Sequence, residues 1–369
     1  MRSYHLRRLL VSLFLAAGLL FCSSDSRATN VIRMDAGFAN APDPGTEAGA
    51  LNGTPLPDTG QTQSYTTIFG EDSDYLINPP SYTKLDQKGQ ELPDNAAEWA
   101  MVRDNVTGLI WEVKTDDDTL HDKDAIFSWD YARFDYMRRL NEAGFGGFTD
   151  WRLPYIREIS CMVNPDHYWP ALNMDYFPNC RKPDPHYWSY DLIHSDVNQA
   201  YVVLFGYGDI GSYKRTELKH VRAVRGYAAW EEDDYVDNGD GTVTDRFTGL
   251  MWQQAASENQ MDWETALSYC QDLSLAGRED WRLPNRNELQ SLVDKQPEPG
   301  AYVCINQAFP NTLGEMYWTS TSNAIIPNAA YAVSFHLGVV FARGSKDLEY
   351  RVRAVRGGTL PGASRDDLS

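Results

Sequence analysis

The chain reads as an α+β protein built from two homologous domains in tandem. An internal repeat carries the duplication, and within each copy helical periodicity comes first and strand alternation after it. The string DNVTGLIW at Asp104–Trp111 returns as DRFTGLMW at Asp245–Trp252, FSWDYA at 127–132 as MDWETA at 261–266, and DWRLP at 150–154 unchanged at 280–284. FPN at 177–179 returns at 309–311, YWSYD at 187–191 as YWTST at 317–321, and VRAVRG at 221–226 at 352–357. Blocks in the same order at a spacing of 130 to 141 residues define copies of about 130 residues, each long enough to bury a core of its own. The expectation is two domains packed as beads, with a modest interface.

Taken in order, VRDNVTGLIW predicts a strand, a turn closed by Gly108 and a second strand. YTKLDQKG at 82–89 looks like a worn copy of YVDNGDG at 235–241, followed by about ten extra residues before the strand. Ser128 opens a helix with Trp129, Ala132, Tyr136 and Leu140 on one stripe. Asp262 opens the matching helix through Ala266, Tyr269, Cys270 and Leu273. A short second helix follows each WRLP, at Arg157–Met162 and Asn287–Val293, with the proline just before it. The segments 200–205 and 330–335 alternate as strands, and each VRAVRG closes its domain as a last strand.

Residues 1–28 predict a secretory signal peptide. Arg2, Arg7 and Arg8 precede an apolar run at Leu9–Phe21, and Ser26-Arg27-Ala28 forms a cleavage site. The run is shorter than the roughly 20 residues a membrane span needs. Lipoprotein processing at Cys22 is the weaker alternative, because Phe21 stands where a small residue is wanted. Residues 29–63 read as a flexible lead-in, 64–227 and 228–358 as the two domains, and 359–369 as a disordered tail. The expected location is therefore exported: periplasm, outer-membrane surface or secreted.

Charge narrows the partners. The 33 Lys and Arg face 52 Asp and Glu, a net −19, and cleavage after Ala28 leaves 29 against 51, or −22. That field opposes nucleic acid, whose binding needs a positive surface, and no transmembrane segment is expected. Four cysteines follow the signal, Cys161, Cys180, Cys270 and Cys304, an even number that fits structural disulfides in an oxidising compartment. Of the three possible pairings, Cys161–Cys180 with Cys270–Cys304 stays inside each copy, although the positions are not equivalent.

The motifs TGLxW, W-x-x-A-x-x-Y-C-x-x-L at Trp263–Leu273, DWRLPN-x-x-E-L at Asp280–Leu289, FPN, YW-[ST]-[ST]-T and VRAVRG together resemble the Lcl C-terminal domain family, over both copies. The first copy departs from the pattern in lacking the helix cysteine and in carrying Tyr190 and Asp191 opposite Ser320 and Thr321. The resemblance implies two C-type lectin-like domains and extracellular recognition, the founding member being a bacterial surface adhesin that binds sulfated glycosaminoglycans. WRLP-x-x-x-E is also similar to a stretch of the formylglycine-generating enzymes. Their catalysis needs a late cysteine pair, and no cysteine follows Cys304.

Each role is weighed on residues. Sulfates call for clustered Arg or Lys, and only Lys214, Arg215, Lys219, Arg222 and Arg225 approach that; the arginines of VRAVRG read better as support for the core edge. Asp237, Asp240 and Asp245 in DNGDGTVTD are a weak calcium alternative to a hairpin turn, so neither cofactor nor metal is expected. No GxSxG, P-loop or HExxH occurs, and no catalytic residue is assigned. The expected function is an exported, non-catalytic adhesin-type protein that binds a glycan or cell-surface protein at the envelope. A structural envelope component is the alternative, and a metal-dependent hydrolase a remote one. The resemblance places candidate ligand-binding residues among the non-repeating positions of the second-half loops: Tyr190, His194, Tyr207 and Tyr213, then Asn323, His336 and Arg343.

Overall fold

In the computed structural model, residues 55–180, 185–227, 233–295, 297 and 301–358 are described. The expected signal peptide, Cys22, the tail 359–369 and most of the lead-in lie outside them. The first repeat runs β1 (Tyr82–Leu85), β2 (Met101–Asp104), β3 (Ile110–Glu112), α1 (Met137–Ala143), α2 (Ile156–Ser160), β4 (His186–Ile193), β5 (Asp196–Leu204), β6 (Asp209–Lys214) and β7 (Val224–Arg225). The second repeats that order with β8 (Tyr235–Asp237), β9 (Thr242–Asp245), β10 (Leu250–Gln253), α3 (Trp263–Gln271), α4 (Arg286–Ser291), β11 (Met316–Ser322), β12 (Ala329–Ser334), β13 (Val339–Ser345) and β14 (Val355–Gly357). Each repeat has one four-stranded sheet, β1-β2-β3-β7 or β8-β9-β10-β14, and one three-stranded sheet, β4-β5-β6 or β11-β12-β13. All pairings between these strands are antiparallel. The last strand returns to the first hairpin because VRAVRG pairs with TGLxW, Trp111 opposite Val224 and Trp252 opposite Val355.

The repeated motifs explain one another. The aspartate of DWRLP holds an arginine of VRAVRG, Asp150 with Arg225 and Asp280 with Arg356, both at 2.8 Å. The arginine of DWRLP grips the glutamate four residues after the motif, Arg152 with Glu158 and Arg282 with Glu288, through two contacts of 2.5–2.7 Å each. The other VRAVRG arginines, Arg222 and Arg353, are wholly buried, donate to the carbonyls of Glu112 and Gln253, and lie over Phe177 and Phe309 of the two FPN motifs. The tryptophans are pinned alike: Trp129 and Trp263 donate to the carbonyls of Ser189 and Thr319, and Trp188 and Trp318 to those of Phe127 and Met261. Bulk buried with its one polar atom satisfied is what fixes a large indole in a core.

The helix stripe is buried as expected, with Trp129, Ala132, Tyr136 and Leu140 all inside. The helix begins, however, with a wide π turn at Tyr131–Tyr136 before α1. Such turns arise from inserted residues, and the first copy has four more residues than the second between these blocks. The second copy starts regularly, because Asp262 caps α3 by accepting from the Thr265 amide at 2.8 Å.

Three expectations are overturned. The repeats are not beads. One core cluster contains Ile156, Ile159 and Tyr201 of the first repeat together with Leu289, Leu292, Val293 and Tyr331 of the second. Equivalent residues cross the interface reciprocally: Tyr201 donates to the Leu337 carbonyl at 3.0 Å, and Tyr331 to the Tyr207 carbonyl at 2.6 Å. The facing turns use Gly208 and Gly338, both at positive φ, where a Cβ would lie 2.5 Å from Val163 and 2.7 Å from the Tyr201 hydroxyl, respectively. The duplicated domains thus meet like the halves of a two-fold dimer.

Residues 55–63, expected to belong to a flexible lead-in, are instead ordered, with Leu56, Asp58, Thr59 and Gln61 buried. Residues 64–78, assigned above to the first domain, also pack on the second repeat: Thr66 donates to Glu264, and Tyr75 accepts from Gln271. This strap needs tertiary partners to be ordered, so its composition alone reads as a linker.

Finally, Cys270 and Cys304, expected to pair within the second copy, are both free thiols. Cys270 is a fully buried member of the α3 stripe, in a core cluster separate from the one against which Cys304 packs, and Cys161 and Cys180 lie within that same latter cluster. Cys270 fills the place of Tyr136 as a small apolar side chain, and burial pushes its thiol pKa up.

Candidate functional site

The tight turns that lock the repeats together leave a cleft at one end of the seam, about 580 Å³ in volume. The first repeat contributes Ile193, His194 and Ser195 from the β4–β5 turn, with Tyr201 and Ser212; the second contributes Tyr302, Cys304, His336, Leu337 and Val339. His194 and His336 lie 142 residues apart in sequence and come together because β6 and β13 meet across the pseudo-dyad. The His336 Nδ1 donates to the Tyr302 carbonyl at 3.2 Å, and the two rings stack 4.5 Å apart at 34°. Tyr302 is 68% exposed, so its ring is a platform rather than a core member. The Cys304 thiol donates to the His336 carbonyl at 3.6 Å, and burial raises its pKa, keeping it a neutral thiol. Burial likewise raises the Tyr201 hydroxyl, which remains a donor. Among the described residues, the cleft lining carries no Asp, Glu, Lys or Arg.

The other candidates fall elsewhere. Tyr207 and Arg343 meet on the opposite side of the seam, the guanidinium 4.8 Å from the ring centroid and 3.6 Å from Asp209. The 45%-exposed Trp169 lies edge-on to Tyr207 there. Asn323 is buried and structural: it donates to the Ala342 carbonyl and accepts from the amides of Ile325 and Ile326. Tyr190 belongs to an aromatic cluster, packed on Tyr155 and accepting from Arg133 at 2.7 Å. Tyr213 lies under Lys219, whose Nζ is 3.6 Å from the ring centroid. The structure therefore unites His194 with His336, and Tyr207 with Arg343, but not all seven. Sequence reasoning missed Tyr302. An aromatic in the Pro- and Gly-rich loop 297–302 was the available signal.

Four of the five cations of the basic stretch are paired or buried, and Lys214 is exposed. Arg215 pairs with Asp130, Lys219 with Glu217 and Arg225 with Asp150, and Arg222 is buried. In the calcium alternative, Asp237 accepts from the Gly239 amide, Asp240 from Thr242, and Asp245 from the Phe247 amide and the Thr248 hydroxyl. Each carboxylate is spent on its own turn. Among the described residues, no group of three His, Cys, Asp or Glu side chains is placed to hold a metal ion. No described helix is long and apolar enough to cross a membrane.

No curated protein matches the chain. The family model of the Lcl C-terminal domain matches twice, over residues 100–225 and 241–356, about two thirds of the sequence. Each match begins in or just before the strand that leads into TGLxW and ends within the final VRAVRG, so the motif-to-motif contacts described above are the framework both matches share. The chain belongs to the Lcl C-terminal domain family, of which it carries two copies in tandem.

Proposed function

We propose that the protein is exported and non-catalytic, that its two repeats are C-type lectin-like domains, and that it recognises a glycan or cell-surface protein at the envelope through the cleft between them. One observation carries this reading: a cleft whose described lining bears no charged side chain, with an exposed aromatic ring tilted against an imidazole, Tyr302 on His336 beside His194, in a chain of net charge −19. A stacked ring with flanking hydroxyl and imidazole groups suits the apolar face and hydroxyl edge of a sugar or an aromatic peptide side chain. The paired state of the basic stretch argues against a sulfated ligand.

A glycan array and a panel of surface glycoproteins, probed with and without calcium, test this. Tyr302→Ala is expected to weaken the strongest binding by about tenfold, the value of one aromatic stack, while leaving the melting temperature unchanged. Equal binding by wild type and variant would remove the cleft from consideration. Binding to nothing on either panel would favour a structural envelope component.

A further inference from the structure

The strap over residues 55–78 is held to the second repeat by carboxylates that are nearly all out of water. Asp58, Glu71 and Asp72 are each at least 94% buried, and they face Glu288 of α4, itself buried. Asp72 accepts from the hydroxyls of Thr59 (2.7 Å) and of Thr321 on β11 (2.6 Å). Asp58 accepts from the Thr59 amide, the Ile77 amide and the Asn285 side chain. Glu71 accepts from Gln61, Ser64, the Tyr65 amide and Ser322. The cations facing them are few. Arg282 is engaged by Glu288 and the Gly357 carbonyl, and Arg286 donates across the repeat interface to the carbonyls of Ser160 and Gly208. Lys346 faces Glu71 and Glu264 from over Trp263. On the strap itself, Asp74 accepts from the amides of Gly70 and Glu71, and the Tyr75 ring lies against Arg282.

Asp58 and Asp72 converge on one residue, the first accepting from the Thr59 amide at 2.8 Å and the second from the Thr59 hydroxyl at 2.7 Å, and two carboxyl groups buried that close together do not both hold a charge. We propose that this pair is a proton-operated latch: one shared proton holds the strap on the second repeat, and its loss to solvent releases it. The strap also reaches the first repeat, where the Thr62 amide and hydroxyl both donate to Asp166, at 2.8 and 2.6 Å. Release would therefore loosen the clamp across both repeats and uncover Thr321, Ser322 and Asn285, which are buried in the docked state.

The sign follows from burial. It pushes Asp72 up to about 6, against the hydroxyls of Thr321 and Thr59, and pushes Asp58 well above the usual carboxylate range, with the charges of Asp72 and Glu288 adding to the burial. Undocked, both carboxyls return to an ordinary value near 4. Docking thus takes up a proton, is strongest below about pH 4 and weakens as pH rises through about 6.

Hydrogen–deuterium exchange on the full chain at pH 5 and pH 8, corrected for intrinsic rates, tests the latch. Protection of the strap amides at Thr59, Gln61 and Tyr65 is expected to fall by about tenfold or more at pH 8, while the Arg282 amide, bonded to Val355 in the sheet, keeps its protection. Asp72→Asn is expected to flatten that pH step. Equal strap protection at both pH values, an equal change at Arg282, or a step of unchanged size in Asp72→Asn would each overturn the latch. If the variant does not fold, a wild-type step already complete by pH 7, below the value of about 8 to which burial lowers Lys346, decides the matter.

Discussion

Glu112→Ala is expected to destabilise the protein by about 3–5 kcal/mol, the range for removing one partner of a buried ion pair. The carboxylate is wholly buried and collects four donors: Lys114 at 3.0 Å, His121 at 2.8 Å, the Tyr136 hydroxyl at 2.5 Å and the Ala223 amide at 2.9 Å. Removing it strands the Lys114 ammonium, only 3% exposed, in the first repeat's core. Glu112→Gln keeps the shape, and the second repeat shows that a neutral version folds: Gln253 there accepts from the Ala354 amide and donates to Tyr269. Burial pushes the Glu112 pKa up, but Lys114 and His121 together outweigh it and bring the value down to about 2. A depressed carboxylate contributes stability above about pH 4.5 that is lost as pH falls toward 2. Denaturant titrations at pH 7 and pH 3 should show that loss in wild type and its absence in the Gln variant. An unchanged midpoint for Glu112→Ala at pH 7 would contradict the account. The slope here is opposite to that of the strap, so the two devices separate by pH.

The second large effect is expected at the turn that lets the repeats touch. Gly338 sits at φ +64°, and a Cβ there would come 2.7 Å from the Tyr201 hydroxyl and 2.8 Å from Val293. Gly338→Val adds left-handed strain to that collision and is expected to cost about 3 kcal/mol or more. Gly239→Ala is the control: its φ is +75°, but no atom lies within 4 Å of the added carbon. If the shared core is what couples the repeats, Gly338→Val should split one cooperative unfolding transition into two, and Gly239→Ala should not. Equal effects of the two substitutions would mean that the interface contributes nothing beyond backbone strain.

Much of the architecture was legible because the sequence states it twice. An aspartate and an arginine that recur together 75 or 76 residues apart, as Asp150 with Arg225 and Asp280 with Arg356, mark a contact that every copy needs. The strand–turn–strand around TGLxW, the helix stripe and the reading of the VRAVRG arginines as core support all rest on such local or repeated signals. The site was only partly legible, since binding positions are those where the copies differ, and difference alone does not say which of many exposed residues share a cleft. His194 and His336 were named from their loops, but Tyr302 completes their site through a stack visible only in three dimensions.

By itself, then, the sequence determined the α+β class, the two copies and the buried stripe of their first helices, because periodicity and recurrence are properties of the chain. Only the tertiary structure decided how the copies meet, that an acidic, linker-like segment is buried as a strap, and that Cys270 serves as a core side chain. Those outcomes depend on partners 100 to 260 residues away, such as Tyr201 with Leu337 or Gln61 with Ser322. Burial against such partners sets their energies, and no local pattern encodes it.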